Sequence, residues 1–102
     1  SINKHMSIET KVKQTRPNSD VDFFTPGDDI VTRLDELKAL GSIESYNLNE
    51  LSENGLEKTM TFIFKDQATL SGFLDEDVSF NSRELRKSYC ETNNIVIETQ
   101  EG

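Results

Sequence analysis

The sequence is short of the residues on which most site chemistry relies. Its 102 residues include no Trp, one Cys, one His and two Pro. A single Cys forms no internal disulfide, which fits a reducing, cytoplasmic setting, and it cannot build a thiolate-rich metal site. Positive charge is scarce as well. Eleven Lys and Arg stand against 19 Asp and Glu, a net charge of -8. That balance speaks against nucleic acid and against an anionic membrane as partners. No apolar run approaches the roughly 18 residues of a membrane span.

The one His sits in a segment of its own. Ser1 to His5 precede Met6 and read as a vector-derived scar, with Met6 as the native start. Without that segment the chain has no His and a charge of -9. A His general base, a Ser-His-Asp or Cys-His unit and a His-ligated metal then have no residue to rest on. We therefore assign no catalytic residue, no cofactor and no metal.

What remains is enough for a small core. Leu, Ile, Val and Phe make up 27 of 102 residues, above the roughly 20% below which chains tend to disorder. We expect one domain over residues 6–99 and a frayed end over 100–102.

The first strand alternates Ile8, Thr10 and Val12 against Glu9, Lys11 and Lys13. Val21 to Phe24 is a short apolar extension. Thr25 as cap, Pro26 at the first helical position, and Asp28 and Asp29 near the positive end of the dipole predict a helix. Ile30, Val31, Leu34 and Leu37 form its stripe, Asp29 and Arg33 pair on its outer face, and Gly41 ends it. A hairpin follows. A three-residue loop with Gly55 at positive φ sets Tyr46 opposite Phe62, Leu48 opposite Met60, Asn47 opposite Thr61 and Glu50 opposite Lys58. Asp66 caps a short helix that Asp75-Glu76-Asp77 interrupts. Asn81 or Ser82 caps a further helix to about Cys90, with Leu85 and Tyr89 on one side. Ile95 to Thr99 is the last strand.

This order predicts an α+β chain: a ferredoxin-like βαββαβ unit with a four-stranded antiparallel sheet and helices on one face. The opposite sheet face has no cover within the chain. It is expected to carry Asn47, Thr59, Thr61, Ile63 and either Val96 or the Ile95/Ile97 pair. A half-apolar open face in so short a chain is commonly closed by a second copy. Those residues are the candidate dimer or cleft face.

The layout, with the run Phe62-Ile63-Phe64-Lys65-Asp66-Gln67-Ala68-Thr69-Leu70 leading from the third strand into the next helix, resembles the dimeric α/β-barrel superfamily. That resemblance implies a homodimer. Some members are cofactor-independent monooxygenases whose sites use His, Trp or Asn on the open face; here only Asn47 matches. More loosely, Thr15 to Pro26 is similar to the start of small uncharacterised proteins of T4-like tailed phages, which implies no activity.

Other features have plain readings. Cys90, late in a helix beside Glu91, is expected to be structural, because both neighbours raise a thiol pKa. Asp75-Glu76-Asp77 lacks the calcium-loop pattern and reads as a solvated corner. Phe62 and Phe64 alternate as in RNA-recognition domains, but in an acidic chain they read as core. Lys11 and Lys13 are strand charges that could hold an anion. Two functions follow. The first is a non-enzymatic module acting by homodimerisation or through a protein partner. The alternative is a cofactor-independent small-molecule binder, or a monooxygenase-like enzyme, with a cleft between the sheets of a dimer.

Overall fold

A computed structural model describes residues 6–101. The vector-scar reading of residues 1–5 and the end of the chain at Gly102 lie outside the described residues. The element order is β1 (Ile8–Thr15), α1 (Asp28–Ala39), β2 (Ile43–Leu51), β3 (Glu57–Phe64), α2 (Gln67–Leu74), α3 (Asp77–Thr92) and β4 (Val96–Glu101). The sheet order is β2-β3-β1-β4, with β1 antiparallel to both β3 and β4 and β2 antiparallel to β3. This is the ferredoxin-like α+β arrangement, with the second helical segment divided into α2 and α3 at Asp75-Glu76, as the acidic run suggests.

Register assigns the two faces. Ile8, Thr10, Val12 and Gln14 of β1 stand opposite Phe64, Phe62, Met60 and Lys58 of β3 and face the helices. Glu9, Lys11 and Lys13 stand opposite Ile63, Thr61 and Thr59 on the open face. Val96, Glu98 and Gln100 join them from β4. The last strand continues past Thr99, because Gln100 and Glu101 still find Lys11 and Thr10 to pair with. The frayed end expected at 100–102 is therefore strand as far as Glu101.

The core gathers under α1 and α2. Ile30, Leu34 and Leu37 of α1 pack with Ile43 of β2, Phe64 of β3 and Leu70 of α2. Helix α1 starts two residues later than its cap signals suggest. Gly27, not Thr25, is the N-cap, and no side chain caps it. Asp28 and Asp29 lie in its first turn, where the dipole favours acids. Gly41 ends the helix with φ +81°, a backbone that L side chains resist.

The hairpin keeps the expected pairing only in its middle. Tyr46 is opposite Phe62 and Asn47 opposite Thr61. Towards the tip the register shifts: Glu50 meets Thr59 instead of Lys58, so Leu48 and Asn49 share Met60. The Asn47 Oδ1 accepts the Asn49 N–H at 2.9 Å, which holds this bulge. The loop then has four residues, 53–56, closed by Ser52 N–H to Glu57 O at 2.9 Å. Gly55 has φ +73°, as its place in the turn requires.

Candidate functional site: a cleft under an inverted helix

Helix α3 begins at Asp77, not at Ser82. Asp77 suits its first turn, and the junction before it is clamped from α1. Arg33 donates from Nε and Nη2 to the two carboxylate oxygens of Glu76, both at 2.8 Å. Nη1 reaches Glu36 at 3.2 Å. The expected Asp29–Arg33 pair gives way to this bidentate one because a fork-to-carboxylate match is the stronger geometry. The guanidinium beside Glu76 holds that carboxyl below the usual Glu range.

The orientation of α3 is the larger surprise. Leu85, expected on a packed side, is 64% exposed, and Phe80 is 53% exposed. The residues turned inwards are Ser79, 2% exposed, and Cys90, 1%. Ser82, Arg83 and Arg86 lie at helical spacing between them and are half-buried. An ordinary surface helix shows the opposite pattern. Burial pushes the Cys90 thiol above its usual range, which keeps it unreactive.

Below α3, where a core would be, there is a cleft of about 460 Å³. Thr10 and Val12 of β1 and Thr99 of β4 form its floor. Ile30 and Leu34 of α1, Met60, Phe62 and Phe64 of β3, and Leu70, Phe73 and Leu74 of α2 form its apolar walls. Ser79, Ser82, Arg83 and Arg86 form its roof. Close-packed interiors hold few voids larger than a water molecule, so a space of this size is a feature of the fold.

The polar groups in the roof are unevenly satisfied. Arg83 donates Nη1 to Ser79 Oγ at 2.5 Å and Nη2 to the Leu74 carbonyl at 2.9 Å. Arg86 buries its Nε with no hydrogen-bond partner among the described residues. That burial lowers the pKa of its guanidinium from the ordinary value. At the far end, Gln14 is fully buried. Its amide accepts the Phe24 N–H at 2.9 Å and donates to the Phe24 carbonyl at 3.3 Å. Tyr89 donates to the Asp22 carbonyl at 2.7 Å and lies 6.0 Å from the Phe24 ring. Together they fix the loop between β1 and α1, so Val21 to Phe24 forms no strand.

The candidate residues chosen from the sequence lie elsewhere. Asn47, Thr59, Thr61 and Ile63 share the open face, and Val96, 59% exposed, joins them from β4, which settles the choice between Val96 and the Ile95/Ile97 pair. They do not form an apolar patch. Ile63 is beside Glu9 at one end and Val96 beside Thr15 at the other. Between them Lys13 pairs with Glu98 at 3.4 Å and Glu57 at 3.7 Å. The Asn47 amide is spent on its own strand. Among the described residues no group of three or more His, Cys, Asp or Glu could hold a metal ion, and no helix is long and apolar enough to cross a membrane.

No protein-family model and no curated protein matches the chain. A crystal structure of a conserved protein of unknown function from Bacteroides thetaiotaomicron VPI-5482, described as a possible oxidoreductase, shares its fold. The TM-score is 0.60 at 8% identity, covering 97% of this chain and 98% of that one.

Proposed function

We propose that this chain is a cofactor-independent small-molecule-binding protein whose ligand occupies the cleft beneath α3. The observation that carries the reading is the cleft itself: about 460 Å³, apolar on its walls, with a few convergent polar groups from one helix. Ligand sites have this make-up. The reading keeps the small-molecule alternative drawn from the sequence and moves its site. The cavity lies within one chain, between helices and sheet, not between the sheets of two copies. Self-association remains the competing reading. The open face supports it less, since Lys13, Glu57 and Glu98 interrupt Ile63 and Val96, and a stable interface wants a depletion of charge at its centre.

The test uses adjacent residues on β4 that point to opposite faces. Thr99 lines the cleft, whereas Glu98 lies on the open face. Nile red, a neutral dye that brightens in apolar surroundings, should bind one per chain. Thr99→Phe should abolish that binding with little change in melting temperature, and Glu98→Phe should leave it intact. Dye binding lost with Glu98→Phe and kept with Thr99→Phe would transfer the site to the open face.

A further inference from the structure

We infer that the ligand is an anionic amphiphile, with a carboxylate-like head at Arg86 and Arg83 and an apolar body along the α1–β3 wall. This rests on the cleft reading above and adds a ligand class to it.

The argument begins with charge. The chain has 19 acids and 11 Lys and Arg, so a randomly chosen cavity lining should carry more acids than bases. The charged side chains turned into this lining are Arg83 and Arg86, and it carries no Asp or Glu. Two cations elsewhere are answered by carboxylates, Lys13 by Glu57 and Glu98 and Arg33 by Glu36 and Glu76, while Arg16 is held by the Gly55 and Val21 carbonyls against the Phe23 ring. The two roof arginines have neutral partners or none. Arg83 is held by a hydroxyl and a carbonyl, and Arg86 leaves a buried Nε–H unpaired.

A buried donor on a charged group costs free energy unless something accepts from it. Two neighbouring guanidinium groups also repel one another. A bound anion would offset the repulsion and answer the half-buried charge of Arg86, and a planar two-oxygen head suits the guanidinium fork. The rest of the cleft asks for an apolar body. From the roof it runs past Leu34, Phe64 and Phe73. At about 30 Å³ per water-sized group, the cleft has room for roughly 15 non-hydrogen atoms. That is a medium-chain or single-ring acid.

The experiment compares decanoate, decanol and decyltrimethylammonium as competitors of Nile red on the full chain. Decanoate should compete at least about tenfold better than decanol, the smallest effect expected of a charge-assisted hydrogen bond out of water. The ammonium should compete least. In Arg86→Met the decanoate preference should fall to about twofold or less while decanol competes as before. In Arg86→Gln it should fall as well, which guards against a folding defect peculiar to one variant. The wild-type ranking needs no variant at all. Decanol or the ammonium competing as well as decanoate, or a preference that survives both substitutions, would overturn the anionic head and leave the cleft standing. Failure of Nile red to bind at all would remove the cleft reading itself.

Discussion

Helices α1 and α3 lie on the same side of the same sheet and are built in opposite ways. Helix α1 buries Ile30, Leu34 and Leu37 against β2 and β3 and leaves its charges in water. Helix α3 buries Ser79 and Cys90, turns Arg83 and Arg86 inwards, and leaves Phe80 and Leu85 exposed. The α1 side builds the apolar core, and the α3 side keeps a cleft where packing would have gone. The two share a wall: Ile30, Leu34, Phe64 and Leu70 belong to the core and also line the cleft, whereas Leu37 and Ile43 belong to the core alone. The comparison teaches that one apolar wall serves both stability and the cleft, and that the helices differ in what they place against it. The Arg33–Glu76 clamp joins the two halves at the start of α3.

Ile43 is the sharpest probe of the packed half. It is buried in the α1–β2–β3 cluster and does not line the cleft. Ile43→Ala should cost about 2–5 kcal/mol in denaturant unfolding, through lost transfer free energy and the cavity left behind. A loss under 1 kcal/mol would mean that the packed half does not carry the fold. At the hairpin tip of the same half, Gly55→Val forces a β-branched residue to φ +73°. It should cost about 1–3 kcal/mol, the range for a strained backbone residue.

In the α3 half the sign should reverse. Arg86→Met replaces an unpaired buried charge with an apolar side chain of similar length. It should stabilise by about 1 kcal/mol, the low end for replacing buried ionic groups by hydrophobes. In a domain of this size that raises Tm by roughly 4–8 °C. A destabilisation approaching that of Ile43→Ala would erase the distinction between the halves.

The smallest effect belongs to the clamp. Glu76 has a folded-state pKa below its ordinary value because Arg33 binds its carboxylate. Its contribution is present above the ordinary Glu value of about 4.3 and is lost as pH falls through the lower folded value. Glu76→Gln should therefore cost about 0.2–1 kcal/mol at pH 7, as expected for a part-exposed pair. It should also flatten the acid limb of the stability profile below about pH 4.3. An unchanged acid limb would show that the clamp carries no stability.

The strands and α1 were legible in the sequence because alternation and a helical stripe report burial directly. The central hairpin pairs Tyr46–Phe62 and Asn47–Thr61 followed from the demand for one apolar face. The bulge at Leu48–Asn49 did not, since it depends on a local hydrogen bond from the Asn47 side chain. The cleft was not legible because its roof breaks the rule used to find cores. Arginine and serine at 79, 82, 83 and 86 read as an outer face, and Leu85 with Tyr89 reads as an inner one. Tyr89 instead anchors the β1–α1 loop. The available signal was the run itself: two arginines spaced three apart with no acid one turn towards the N-terminus from either, in a chain rich in acids.

The most direct test of the central claim is amide chemical-shift mapping of the labelled full chain titrated with decanoate. The account predicts that the largest perturbations fall on Thr10, Ser79, Arg83, Arg86 and Thr99, around the cleft. Perturbations centred on Asn47, Thr61, Ile63 and Val96, with the α3 signals unmoved, would contradict it and return the site to the open face of the sheet.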